Sequence, residues 1–274
     1  MKLSVVTAVY DRPEHFRLFL QALAAQTRRP DEVVVADDGS SPAIAARLRE
    51  LLDASGFAGT IVRQEKDGFR AAAARNMALR VVTGDYVAFI DCDMVLMPDA
   101  LALHESMAAS RRVLIGNRVL LPQVPSEALF AMPAPGPQAA DFERAFAEAD
   151  ATELREAARL FAKHAWQRRF HIARPHKPKI IGCHFSLPME DVRRINGFDE
   201  NYVGWGYEDD DFARRLYAAG VKPVSVIESA RAMHLWHPSL APEAQTRHRD
   251  RPNRAYFRRW RVPTFCQNGL VKEA

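Results

Sequence analysis

Short apolar runs alternate with helix-length segments through the first 121 residues, and that alternation limits what the chain can become. The runs at 3–10, 32–36, 60–64, 86–90 and 113–121 read as strands. The segments between them read as helices at 13–26, 43–54, 70–82 and 99–109. Pro13 opens the first helix, where its missing N–H costs nothing, and Phe16, Phe19, Leu20 and Leu23 then share one face. Gly84 stops the Ala-rich third helix. Strands alternating with helices predict an α/β fold, a mostly parallel central sheet with helices on both faces. Ligands in such sheets lie at the carboxyl ends of the strands.

The second half is less regular. Residues 122–138 hold five prolines and read as a loop or linker, and 139–171 read as helical. Together 122–178 form a predicted helical insert. A strand at 180–187, a helix near 189–195 and a helix at 207–219 stopped by Gly220 follow. Strands are expected near 223–227 and 231–236, and no firm structure in the Arg-rich tail 241–274. The expected organisation is one domain over 1–240, with a first half at 1–121 and a second half at 179–240.

Composition excludes some partners. With 274 residues, 48% of them hydrophobic, the chain can bury one large core. A formal net charge of +4 suits an anionic ligand without calling for nucleic acid. Cys92, Cys183 and Cys266 are odd in number and widely spaced, which predicts a reducing, cytoplasmic setting. The apolar start, Met1 to Tyr10, is too short for a secretion signal, and no stretch reaches the length of a membrane span.

Asp91-Cys92-Asp93 ends the apolar run Tyr86-Val87-Ala88-Phe89-Ile90. In extended chain, residues i and i+2 point the same way, so both carboxylates can reach one ion or ligand. Carboxylates at a strand end repel phosphate unless a divalent cation stands between them. The plainer reading is a turn or helix cap.

Three other clusters fall at strand ends or loops. Thr7-Ala8-Val9-Tyr10-Asp11-Arg12 follows the first strand. Asp37-Asp38-Gly39-Ser40 follows the second. Lys66-Asp67-Gly68-Phe69-Arg70 leads to Arg75-Asn76. Uracil offers one N–H between two carbonyls, and a carboxylate such as Asp37 can accept from it while a backbone amide near Tyr10 serves a carbonyl. Asp37-Asp38-Gly39-Ser40 equally suits a plain turn and cap. Arg75 can reach a diphosphate or pair with strand-end acids.

Gly204-Trp205-Gly206-Tyr207 precedes Glu208-Asp209-Asp210-Asp211, four acids that open a helix. Acids stabilise a helix N-terminus, but one or two suffice. Downstream, Met233-His234-Leu235-Trp236-His237 sets two histidines near a strand end, and one of them is a candidate third metal ligand.

Over 3–121 and about 180–240 these clusters resemble family 2 glycosyltransferases of the Rossmann-like GT-A fold. The second half resembles the carboxyl-terminal region of β1,4-galactosyltransferases and chondroitin-type polymerases, with Tyr207 where glycine is usual. The resemblance implies that Asp37 reads uracil, Asp91 contacts ribose or sugar, and Asp93 binds the metal with His234 or His237. It implies further donor contacts at Thr7, Ala8, Tyr10, Arg12, Asp38, Lys66, Arg75 and Cys92. Trp205, Glu208 and Asp210 would hold the acceptor, and Asp209 would be the base. His184 stands where an asparagine is expected.

The function so implied is inverting, metal-dependent transfer of a hexose or N-acetylhexosamine from a UDP-sugar to a glycan or lipid-linked acceptor. Mixed carboxylate and imidazole ligands favour Mn²⁺ over Mg²⁺. Arg247, Arg249, Arg251, Arg254, Arg258, Arg259 and Arg261 lie among Tyr256, Phe257 and Trp260. That tail suits peripheral contact with the inner membrane face, or folding back onto the domain. A sugar nucleotidyltransferase is a rival reading, weakened because Thr7 to Pro13 contains no glycine. A non-catalytic binder of anionic polymer or membrane is another, and it leaves the four acids without a purpose.

Overall fold

Val33, Val34, Val35 and Ala36 expose no surface, so β2 (Glu32–Asp37) is covered on both faces. In the computed structural model, which describes residues 1–238, 253–259 and 261–272, β2 lies between β1 (Leu3–Val9) and β3 (Gly59–Arg63). β4 (Tyr86–Ile90) pairs on the other side of β1, and all four strands are parallel. β8 (His184–Pro188) runs antiparallel to β4 and to β6 (Arg112–Ile115), which pairs in parallel with β9 (Lys222–Ser225). The order is β3-β2-β1-β4-β8-β6-β9. Strands from both sides of the helical insert therefore share one sheet.

Period-two alternation sorts the strand residues between two helical layers. Val5, Val33 and Val35 pack with Phe16, Phe19 and Leu23 of α1 (Pro13–Ala24) and with Leu48 and Leu52 of α2 (Pro42–Ala54). α4 (Ala100–Met107) adds Ala100 and Leu101 to this layer. Val6, Val34 and Phe89 face Ala72, Ala74 and Ala78 of α3 (Ala71–Leu79). Phe89 stacks on Phe185 at 4.6 Å, and Phe198 stacks on Phe212 of α9 (Glu208–Ala218) at 4.1 Å. α8 (Met189–Arg194) closes that layer with Met189 and Val192. The alanines of α3 let its backbone approach the sheet, which carries Arg75 inward.

The expected strand at 113–121 is two strands in two sheets. After β6 the chain turns at Gly116, where a Cβ would stand 2.4 Å from the His184 ring. It then enters a three-stranded sheet as β7 (Val119–Leu120), beside β10 (Ala232–His234) and β5 (Met94–Leu96). β10 is antiparallel to β5 and parallel to β7.

The Pro-rich stretch is also not all loop, because α5 (Gln123–Phe130) lies inside it. Pro122 caps that helix and Pro125 sits in its first turn, where the backbone N–H would have no helical partner. The helical stretch that follows breaks into α6 (Ala139–Glu148) and α7 (Thr152–Arg169). Gln138 and Asp141 form a reciprocal capping box at the start of α6, which fixes the second start point.

Part of the tail lies within the described residues. α10 (Asn253–Phe257) packs against the loop before α9, and Phe257 meets Tyr207 at 5.0 Å. Arg259 lies 3.1 Å from Asp199 and 3.4 Å from Asp211, so this arginine turns inward rather than toward a partner surface. Arg247, Arg249, Arg251 and Trp260 lie outside the described residues. Among the described residues, no helix is long and apolar enough to cross a membrane.

Candidate active site

Strand ends from both sheets meet at one cleft of about 410 Å³. β1 delivers Tyr10 and Arg12, β2 delivers Asp38, β4 delivers Asp91 to Asp93, and β10 delivers His234 and His237. β8 runs antiparallel, so its start brings Gly182 and Cys183 to the same edge.

On the β1–β2 side, the Lys66 ammonium sits 3.5 Å from the Tyr10 ring centroid and 3.0 Å from Asp38. Gly39 has φ +83°, and a Cβ there would lie 2.5 Å from the Lys66 backbone nitrogen. This turn therefore requires glycine. Asp37 does not line the cleft. Its Oδ1 accepts from the Ser40 N–H at 2.8 Å, while Oδ2 has no hydrogen-bond partner and lies 3.6 Å from Arg63. Thr7 is buried with an unpartnered hydroxyl, also off the cleft wall.

Asp93 faces both histidines, where the sequence motif called for one. Its carboxylate oxygens lie 3.4 Å from His234 Nε2 and 3.1 Å from His237 Nε2. One ligand atom from each of the three residues falls within 4.8 Å of the others. Burial would raise the Asp93 carboxyl, but the two facing imidazoles outweigh it and hold the group well below the usual carboxylate range. Asp93 Oδ1 is buried and completes no hydrogen bond. A buried, unsatisfied carboxylate oxygen beside two imidazole nitrogens is a donor set that fits a divalent transition metal. Arg12 borders this group, with Nη2 2.9 Å from His237 Nδ1.

Arg75, 7% exposed, ties the strand-end acids to α9. Its guanidinium donates to Asp209 at 2.9 Å and lies 3.5 Å from Asp91 and 4.0 Å from Glu208. Burial works against the Arg75 charge, but Asp209, Asp91 and Glu208 reverse the balance and raise its pKa. Burial also raises Asp91, with Arg75 opposing. Glu208 is pushed up to about 7 by burial and by the neighbouring Asp209. Asp209 accepts a second hydrogen bond from the Gly182 N–H at 3.0 Å. A Cβ on Gly182 would sit 2.5 Å from Arg75 and 2.6 Å from Asp209, so a larger residue here would displace that ion pair.

The loop before α9 has three residues in the left-handed region: Gly204 at φ +82°, Gly206 at +96° and Tyr207 at +77°. Tyr207 thus holds a glycine-like conformation, offset by packing its buried ring on Phe257. Trp205 lines the cleft and is 38% exposed. Asp210 points away from it, buried and 3.8 Å from Lys179. His184 lies behind the cleft, fully buried between His104 and the Asn117 carbonyl. Cys92 and Cys183 line the cleft, and burial raises both thiols, Cys183 to about 12.

Of the residues singled out from sequence, Ala8, Tyr10, Arg12, Asp38, Lys66, Arg75, Asp91, Cys92, Asp93, Trp205, Glu208, Asp209, His234 and His237 line this cleft. Thr7, Asp37 and Asp210 do not. The sequence reading assigned no site role to Phe69 or Gly182 and passed over Arg118, and all three line it. A polar Asn117-Arg118 pair interrupting the apolar residues of 113–121 was the available signal for Arg118.

Comparison with known proteins agrees with this geometry. Residues 4–128 match the family described as Glycosyl transferase family 2, and residues 165–238 match the one described as N-terminal domain of galactosyltransferase. The validoxylamine A glucosyltransferase of Streptomyces hygroscopicus subsp. limoneus is 33% identical over 232 residues, 82% of this chain and 49% of that protein. The chondroitin synthase of Escherichia coli is 27% identical over 268 residues, 88% of this chain and 36% of that protein. The chain thus spans about half the length of the first relative and less of the second.

A mannosyltransferase from Pyrobaculum calidifontis, solved with GDP-Man and Mn²⁺, has a TM-score of 0.57 at 20% identity. The match covers 85% of this chain and 56% of that one. S. aureus TarS in complex with UDP has a TM-score of 0.55 at 19% identity, covering 87% and 61%. Both likenesses concern the fold, which is GT-A. The chain belongs to glycosyltransferase family 2 through residues 4–128, and its second half, which supplies Asp209 and the two histidines, carries a galactosyltransferase-type region.

Proposed function

We propose that this chain transfers a hexose or N-acetylhexosamine from a UDP-sugar to a hydroxyl of a glycan or glycoconjugate, with inversion at the anomeric carbon. One observation carries the reading. The three-residue metal site and the candidate base Asp209 share a single cleft, bridged by Arg75 and Asp91.

Asp93, His234 and His237 would hold Mn²⁺ or Mg²⁺, which when bound offsets the charge that grows on departing UDP. Arg12 and Lys66 line the same cleft and add cationic charge there. To read the uracil N3–H, Asp37 would have to offer its buried Oδ2, which lies off the cleft wall and 3.6 Å from Arg63. Asp91, on the β4 turn, orients the ribose or sugar. Trp205 stacks on the acceptor and excludes water, and Glu208 beside it accepts from an acceptor hydroxyl. Asp209 takes the proton of the attacking hydroxyl as it reaches the anomeric carbon from the face opposite UDP. Direct displacement needs no protein nucleophile, and both cleft cysteines are held as thiols.

The UDP complex of TarS and the Mn²⁺ complex of the mannosyltransferase support a nucleotide-sugar and metal reading. The test is a UDP-sugar panel with Mn²⁺, followed by the anomeric configuration of any product. Turnover with inversion supports the reading. Retention, or failure to bind any UDP-sugar, overturns it.

A further inference from the structure

Among the described residues, four Lys and Arg side chains line the cleft: Arg12, Lys66, Arg75 and Arg118. Lys66 is matched by Asp38, and Arg75 by Asp91, Glu208 and Asp209. Arg12 borders the metal site through His237. Arg118 has no acid within ion-pair distance among the described residues. Its Nη1 reaches only Asn117 Oδ1 at 3.0 Å, and its Nε is buried without a hydrogen-bond partner.

The position of Arg118 is fixed. Asn117 Oδ1 also accepts from the Arg118 backbone N–H at 2.9 Å, which folds the side chain onto the turn. The Asn117 carbonyl is held by His184 Nδ1 at 2.9 Å, and Gly116 is seated against the same ring. A half-buried guanidinium on a rigid turn, without a counter-charge, is a prepared anion receptor. Its planar fork matches a carboxylate.

The sheet order places that receptor. β1 and β2 border the nucleotide side, and β4 ends at the Asp91–Asp93 turn. Arg118 leaves β6, two strands beyond β4 across β8. If a UDP-sugar lies along this edge with its base over β1 and β2 and its diphosphate at the β4 turn, its hexose falls toward β8 and β6. With the metal site and Arg12 taken for the diphosphate, that arrangement gives Arg118 to the sugar.

We propose that Arg118 binds a carboxylate on the transferred sugar, so that the donor is a UDP-hexuronic acid. This rests on the UDP-sugar reading above and narrows the hexose to its C6-oxidised form.

The experiment is calorimetric titration, with Mn²⁺ present, of UDP, UDP-glucose, UDP-glucuronate and UDP-galacturonate. It uses the full chain and its Arg118→Ala and Arg118→Lys variants. Wild type is expected to bind one of the uronates tighter than UDP-glucose by about tenfold to about 100-fold, the range for a charge-assisted hydrogen bond. Arg118→Ala should erase that preference and leave the Kd for UDP within threefold of wild type. Arg118→Lys should restore part of it.

Equal affinity of wild type for uronates and UDP-glucose overturns this inference and leaves the glycosyltransferase reading intact. Weaker binding of UDP itself by Arg118→Ala overturns it too, because Arg118 would then hold the diphosphate. No binding of any UDP compound overturns both readings.

Discussion

The side-chain amide of Asn253 donates to the Gly206 carbonyl at 2.9 Å and reaches the Gly204 carbonyl at 3.4 Å. One buried residue from the carboxyl-terminal segment thus spans the two glycines that flank Trp205. Its two N–H groups hold a loop whose glycines would otherwise be free to move. Asn253→Ala should raise the KM for acceptor about tenfold while leaving the Kd for UDP unchanged. Asn253→Asp should be worse, since a carboxylate facing two carbonyls donates nothing and repels both. Steady-state kinetics with UDP titrations checks this. Equal kinetics for Ala and Asp would deny the loop-holding role.

Asp209→Asn should lower turnover by about 10² to 10⁴, the usual loss on removing a general base. UDP and Mn²⁺ binding should survive, because Arg75 keeps Asp91 and Glu208 as partners. Rapid-quench measurement of product formation separates the two effects. An active Asp209→Asn beside an inactive Glu208→Gln would move the base by one residue, to the carboxyl already raised to about 7.

Removing the metal should abolish turnover, and Mn²⁺ added after EDTA should restore it. His234→Ala and His237→Ala should each weaken Mn²⁺ affinity, and Asp93→Asn should weaken it most, since it removes the only anionic ligand of the three. Electron paramagnetic resonance of bound Mn²⁺ reports this without needing the acceptor. Full Mn²⁺ affinity in Asp93→Asn would exclude the site.

The strand–helix alternation of the first half was legible because β1, β2 and β4 are buried on both faces, while helices such as α1 and α2 carry an apolar face. The same local logic exposed Asp91-Cys92-Asp93 and the Gly204-Trp205-Gly206 turn. Long-range events were not legible. The run 113–121 reads as one strand although Gly116, Asn117 and Arg118 interrupt its apolar residues, and the His184 ring against Gly116 marks where it divides between sheets. The antiparallel direction of β8, which brings Gly182 to Asp209, leaves no local mark. Asn253 gains its role from carbonyls 47 and 49 residues away. Asp210 sits in the same acidic run as Asp209, yet one residue of helical rotation turns it toward Lys179.

A buried hydrogen-bond chain behind the cleft gives a pH prediction with a defined sign. His184 Nδ1 faces the Asn117 carbonyl at 2.9 Å, and a carbonyl only accepts, so Nδ1 carries the proton. His184 Nε2 then accepts from His104 Nε2 at 3.0 Å. His104 Nδ1 accepts from the Ser186 hydroxyl at 2.6 Å, which accepts in turn from Tyr86 at 2.8 Å. Both rings must be neutral for this order to hold. Burial lowers His184 to about 4, and it lowers His104 well below the usual histidine value of 6.5. Between pH 6.5 and about 4 the unfolded chain takes up protons that the folded rings refuse. The stability is present above 6.5 and lost as the pH falls, with a slope of about 1.4 kcal/mol per pH unit for each proton. His104→Gln removes one titrating ring, so its stability should fall less steeply than wild type between pH 6.5 and 4.5. Urea unfolding at four pH values in that window measures the difference, which cancels the contribution of every other acid in the chain. Parallel slopes for the two proteins would show that His104 does not titrate on unfolding.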